Sequence, residues 1–154
     1  MKAVLQRVLS AGVTIDGQMK AGIGAGLMIL LGIAVGDTAK EAEYLAEKVA
    51  GLRIFGDSDD KMNLSLLDVG GSALVVSNFT LCADSRKGRR PAYIAAARPE
   101  QAKPLYELFV QKLARQGVRQ VETGQFGADM KISILNDGPV TLILDTDELM
   151  PQTR

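Results

Sequence analysis

Histidine is absent from all 154 residues, and its absence removes whole classes of chemistry at once. Ser-His-Asp and Cys-His activation of a nucleophile, His-ligated zinc and imidazole proton shuttling are closed to this chain. Tryptophan is also missing, and the single cysteine, Cys82, allows no intrachain disulfide. That points to a reducing compartment and makes the cytoplasm the expected location. No sign of charge is in excess, since 18 basic residues balance 18 acidic ones, so there is no global footprint for DNA or RNA. Long apolar runs are lacking too. The longest, Leu27 to Val35, is broken by Gly32 and falls far short of the roughly 20 residues of a membrane helix. The opening Met1-Lys2-Ala3-Val4-Leu5-Gln6-Arg7 meets charge too soon for the apolar stretch of a signal peptide.

What is present is ample for one core. Forty-seven per cent of the residues are apolar, and the length fits one domain over 1–154, with a tail after about residue 147 that is polar enough to fray. Val4-Leu5-Gln6-Arg7-Val8 and Ala11-Gly12-Val13-Thr14-Ile15 read as two short strands, and Asp16-Gly17 is a hairpin signal. Leu27-Met28-Ile29-Leu30-Leu31 is apolar on both faces and predicts a covered central strand, hence helices over the sheet. Thr38-Ala39-Lys40-Glu41 has the form of a capping box, followed by Ala42, Leu45, Ala46 and Val49 at helical spacing up to Gly51. Leu52 to Phe55 then reads as a strand. A second helix is expected from Pro99-Glu100, or from Lys103, to a stop at Gly117, with Leu105, Leu108, Phe109 and Leu113 as its buried stripe. Val118 to Glu122, Met130 to Leu135 and Val140 to Asp145 supply further strands. The class is therefore α+β, a curved or barrel-like and mostly antiparallel sheet with two long helices outside.

Two segments stand out chemically. Ala73-Leu74-Val75-Val76 runs into Ser77-Asn78-Phe79-Thr80-Leu81, which places hydroxyls and backbone amides at the end of a buried strand. Near the other end, Asn136-Asp137-Gly138-Pro139-Val140-Thr141 makes a backbone corner between two apolar runs, because Gly accepts unusual φ and Pro fixes its own. Taken singly, each has a bland explanation: hydroxyls that end a strand by bonding local backbone, and an ordinary tight turn.

Together, in order and correctly separated, the two segments resemble the D-aminoacyl-tRNA deacylases. The likeness extends through Ala3 to Val8, Arg53-Ile54-Phe55, Lys61 to Ser65, Arg86 to Pro91 and Gly124 to Met130, and so covers nearly the whole chain. One departure is visible: the family usually has glutamine where this chain has Asn78. The resemblance implies a homodimeric enzyme that hydrolyses the ester between a D-amino acid, or glycine on a non-cognate tRNA, and the terminal ribose of tRNA. It implies neither a metal nor an organic cofactor. It also implies that Gly138-Pro139, with a cis bond, enters the active site of the other subunit, where its two carbonyls exclude an L-amino acid by steric clash.

Within that frame Ser77, Phe79 and Thr80 are the catalytic candidates. Thr80 is one possible nucleophile, but the chain offers no histidine to take its proton. The favoured alternative is substrate-assisted: the ribose 2′-hydroxyl helps activate water, while backbone amides around Phe79 and Thr80 hold the oxyanion. Arg7, Asn78, Phe126 and Met130 are the substrate-binding candidates, Arg7 as a prop for the cross-subunit corner or the adenosine end. The alternative for Arg7 is a salt-bridged sheet face, and for Phe126 and Met130 a place in the pocket wall or core. Arg86, Lys87, Arg89 and Arg90 would meet tRNA phosphates. Two other functions compete: a related editing deacylase acting on a mischarged L-aminoacyl-tRNA, and a non-catalytic dimeric nucleic-acid binder.

Overall fold

A computed structural model describes residues 1–151. The chain opens with β1 (Lys2–Ile15), which turns through Asp16-Gly17, both at positive φ, into β2 (Gln18–Ile23) and then β3 (Gly26–Gly32). The two short strands expected before Asp16 are a single one. Leu9 and Ser10, which read as a break, are exposed, and the strand passes them by shifting register against its neighbour between Gln6 and Val8 and again between Val8 and Ser10. Such irregularities bend a strand without ending it.

Helix α1 (Ala39–Gly51) starts at Thr38 with the expected capping box. The strand expected over Leu52 to Phe55 is reduced to β4 (Phe55–Gly56), paired with β5 (Met62–Leu64) in a separate ribbon. A one-turn helix, α2 (Leu66–Val69), leads into β6 (Ser72–Ser77), and a 3₁₀ turn over Phe79–Cys82 follows. Helix α3 (Pro99–Arg115) begins at Pro99, and Gly117 lies at a φ of 109° just beyond it. β7 (Val121–Thr123) is shorter than expected, and β8 (Lys131–Asp145) runs through the Gly138-Pro139 corner as one strand. Where the tail is expected to begin, Asp145 caps a last helical turn, α4 (Thr146–Leu149), in which Thr146 is buried. Residues 152–154 of the expected tail lie outside the described residues.

The main sheet has the order β2-β1-β3-β6-β7, with β8 along the other edge of β1. Pairings around β1 are antiparallel, but β3-β6 and β6-β7 are parallel, because α1 and α3 carry the chain back over one face between them. On that face Leu5, Leu27, Ile29 and Leu31 pack with Leu45, Val49, Phe109 and Leu113 of the helices. Each such side chain, fully buried, contributes about 1.5–3 kcal/mol. On the other face Met28, Leu74 and Val76 meet Val8, Val13 and Ile23, so the covering of β3 on that side comes from the curl of the sheet itself. No helix of the described residues is long and apolar enough to cross a membrane.

One buried ionic knot fixes the loop after β3. The Met1 α-ammonium donates to Asp37 Oδ1 and to Thr146 Oγ1, both at 2.7 Å, and the Ala34 amide donates to Asp37 Oδ2 at 2.7 Å. The loop then anchors the segment leading to α3, through Val35 N to Ala95 O at 3.0 Å and Ala97 N to Ile33 O at 2.9 Å.

Candidate active site

The end of β6 and the start of α3 frame a cavity of about 500 Å³. Ser77, Asn78 and Phe79 form one side, Tyr93 and the 96–99 segment a second, and Phe126, Gly127, Ala128 and Met130 a third. Five of the residues singled out in the sequence thus meet here: Ser77, Asn78, Phe79, Phe126 and Met130.

The 3₁₀ turn controls the local geometry. Asn78 donates its amide to Leu31 O at 2.8 Å, leaving the parallel ladder, and its side-chain oxygen caps the turn by accepting from Thr80 N at 3.2 Å. The Thr80 hydroxyl also donates to Asn78 Oδ1. The asparagine side chain is the right length for capping two residues ahead. The cap also decides which amides of the turn are free to donate elsewhere. The Thr80 amide is already occupied, whereas the Phe79 amide, first in the turn, has no backbone partner among the described residues. The turn lies close against β3 because Gly32 is beneath it; a Cβ there would stand 2.8 Å from Leu81 Cβ and 3.1 Å from Asn78 O.

Phe79 is 56% exposed and meets the edge of Tyr93 with ring centroids 5.1 Å apart. Across the cavity, Phe126 packs on Tyr106 at 6.0 Å, and the Tyr106 hydroxyl donates to Val75 O at 2.8 Å. Burial pushes the Tyr106 phenol up to about 12, so it is a fixed neutral donor at physiological pH. Met130 seats its sulfur at Gly124, close enough to leave no room for a Cβ. Cys82, the last residue of the turn, is buried, and burial raises its thiol above the usual value, as for an inert core cysteine.

The remaining candidates lie outside this cavity. The Gly138-Pro139 peptide is cis and both residues are exposed, but neither lines the cavity of its own chain. Arg7 holds the residue before that corner: its Nε donates to Asp137 O and pairs with the Asp137 carboxylate, both at 3.1 Å, while Nη1 donates to Ile54 O at 2.9 Å. Arg86, Lys87, Arg89 and Arg90 occupy an exposed loop closed by reciprocal bonds between Asp84 and Ala92. Arg86 is drawn back onto Asp84 by contacts of 2.9 and 2.8 Å, which hold that carboxyl below its ordinary range.

Sequence reasoning missed Tyr93, Arg98 and the small residues Ala96, Ala97 and Ala102 that give the cavity its room. A signal for Arg98 existed. It occupies the cap position before Pro99, where a short polar side chain is favoured, and it makes no side-chain cap bond.

Comparison with known proteins agrees with this geometry. A family model described as D-Tyr-tRNA(Tyr) deacylase matches residues 4–145. Proteins named D-aminoacyl-tRNA deacylase are 58% identical over 149 residues in Chloroflexus aurantiacus, covering 97% of this chain and 92% of that one, and 58% identical over 146 residues in Brevibacillus brevis, covering 95% and 100%. A solved structure named c-Myc DNA Unwinding Element Binding Protein superposes with a TM-score of 0.89 at 41% identity, over 94% of this chain and 98% of that one. A second, described as a probable eukaryotic D-amino acid tRNA deacylase, has a TM-score of 0.81 at 15% identity, covering 93% and 97%, and so shares the fold. A match that spans both signature segments and the strands and helices between them places the chain in the D-Tyr-tRNA(Tyr) deacylase family.

Proposed function

We propose that this chain hydrolyses the ester of D-aminoacyl-tRNA, and of glycyl-tRNA charged on a non-cognate tRNA, releasing free amino acid and tRNA in the cytoplasm. The observation that carries the reading is the largely apolar cavity beside the Phe79–Thr80 turn, with Arg98 its one charged lining residue and, at its edge, the Phe79 amide, which has no backbone partner among the described residues. Such a site binds an adenosine and its ester by shape and stacking and offers a donor to the tetrahedral oxyanion. Nucleophile activation falls to the substrate, because the Thr80 proton rests on an amide oxygen that has no basicity to accept it. The ribose 2′-hydroxyl assists water, and the protein holds the ester in place.

Selection between enantiomers comes from a second copy of the chain. The exposed Gly138-Pro139 corner, steadied through Arg7 and Asp137, enters the partner's cavity and opposes the α-substituent of an L-amino acid. Support comes from Ile134, Leu135 and Ile143, large apolar side chains left exposed on β8 and available to a dimer interface. Lys87, Arg89 and Arg90 attract the phosphates of the acceptor end.

The test is release of amino acid from matched D- and L-tyrosyl-tRNA. Selective release from the D-ester is expected. Release from the L-ester would assign the chain to the related editing class, and tRNA binding without release from either would favour the nucleic-acid binder.

A further inference from the structure

Among the residues that line the cavity, Arg98 alone is charged. It has no acidic partner within salt-bridge distance among the described residues. The acids next in sequence to lining residues do not neutralise it: Asp129, between Ala128 and Met130, is taken by Lys131 at 3.0 Å, and Glu100, in the first turn of α3, forms no ion pair with it. Arg98 is also electrostatically misplaced as a structural residue. It stands at the N-terminal cap of a 17-residue helix, where the backbone dipoles already present positive charge and an acidic or hydroxyl side chain is favoured. A residue that breaks its local rule without a compensating bond within the protein marks a place where something else is served. Its backbone is held firmly, since Ala96 pairs with Ala34, Ala97 donates to Ile33 O, and Gln101 Nε2 reaches Val35 O at 2.8 Å and Asp37 O at 3.0 Å.

We propose that Arg98 binds the 5′-phosphate of the terminal adenosine and so positions the substrate in the cavity. The inference rests on the reading of this cavity as the aminoacyl-adenosine site. Nucleoside and ester are uncharged at the reacting end, and suit the walls formed by Phe79, Phe126 and Met130. The first anion met on leaving the cavity is that phosphate, and the guanidinium at the rim offers it a planar pair of donors. Arg98 acts at one fixed distance from the ester, whereas Lys87, Arg89 and Arg90 lie on a separate loop and act along the chain beyond it.

The experiment uses two non-hydrolysable ligands, 3′-(D-tyrosylamino)-3′-deoxyadenosine with a free 5′-hydroxyl and the same molecule with a 5′-monophosphate, titrated calorimetrically into the intact protein. The phosphorylated ligand is expected to bind about threefold to tenfold more tightly at low salt, as for a single charge-assisted contact at a partly open rim. Arg98→Ala erases that preference and leaves binding of the unphosphorylated ligand unchanged, which also reports an intact cavity. Arg98→Lys keeps part of it. Equal affinity for both ligands in the unaltered protein, a preference that survives Arg98→Ala, or no binding of either ligand overturns the proposal. Deacylation of D-tyrosyl-tRNA by the same sample separates the two inferences: turnover without a phosphate preference removes only the role of Arg98, and a phosphate preference without turnover removes the deacylase reading while leaving the anion site.

Discussion

The Thr80 hydroxyl donates to Asn78 Oδ1, and the Thr80 amide donates to the same oxygen. A carboxamide oxygen is an acceptor with almost no basicity, so this pairing orients the hydroxyl without activating it. Thr80→Ala is therefore expected to keep kcat within about tenfold of the unaltered enzyme, the scale below the 10²–10⁴ of a lost acid-base step. Asn78→Ala is expected to be the more damaging change, since it removes the cap and frees the turn that carries Phe79, at about 1 kcal/mol of stability. Single-turnover deacylation beside thermal unfolding of both variants measures this. Abolition of turnover in a folded, substrate-binding Thr80→Ala protein would restore the threonine as nucleophile.

Gly32 is the floor on which that turn rests. A methyl group there would stand 2.8 Å from Leu81 Cβ and 3.1 Å from the Asn78 carbonyl, neither of which can move without moving the turn. Gly32→Ala should cost about 1–3 kcal/mol, as other overpacked sites do. Its effect on kcat should exceed that of an equally destabilising core change far from the cavity, such as Val49→Ala. Equal activity in the two variants at matched temperature below unfolding would refute a positioning role for Gly32.

These residues also show how much could be read from the chain before its fold was known. Thr38 and Glu41 declare a helix start because a cap is a local affair, decided within four residues, and Asp16-Gly17 declares a turn for the same reason. The parallel run of β3, β6 and β7 was not legible, since Leu27 to Leu31 and Ala73 to Val76 are apolar on both faces and nothing in such a run states the direction of its neighbour. The candidate site was legible as two segments, Ser77 to Leu81 and Asn136 to Thr141, but not as a cavity. Its far wall comes from Tyr93, Arg98 and Ala102, residues distant from both segments in sequence, on a stretch anchored through Ala97 to Ile33. The cap formed by Asn78 was readable in principle from an asparagine two residues before a threonine, yet the strand signal of Val75 and Val76 masked it.

Arg7 and Gly138 act on one corner from two sides. Arg7 grips the Asp137 carbonyl and carboxylate, and Gly138 has room beside Asn136 and Val140 N only while it lacks a Cβ. Gly138→Ala displaces a flexible amide tip and should lower thermal stability by less than about 1 kcal/mol, as for a surface change. Its effect should fall on turnover of the D-ester and on rejection of the L-ester. Arg7→Lys, which keeps charge but loses the fork that reaches both Asp137 O and Ile54 O, should weaken the same discrimination. Comparing D- and L-tyrosyl-tRNA hydrolysis for both variants decides it: wild-type rates and wild-type selectivity in both would remove the corner from the mechanism.

Tyr106 supports the opposite wall through its ring against Phe126 and its hydroxyl on Val75 O. Burial raises its phenol from about 10 in an unfolded chain to about 12 in the folded one, so the folded state holds the proton more tightly. The resulting stability is fully present below pH 10 and is lost as pH rises through 12. Tyr106→Phe gives up the hydrogen bond to a buried carbonyl and should cost about 1–2 kcal/mol at pH 8. The variant has no phenol to ionise, so the stability gap between it and the unaltered protein should close between pH 10 and pH 12. Denaturant unfolding of the two proteins at pH 8, 10 and 11.5 follows that gap. A difference that stays constant across the three would mean that the Tyr106 phenol titrates alike in the folded and unfolded chain, and that the wall behind Phe126 owes its position to packing alone.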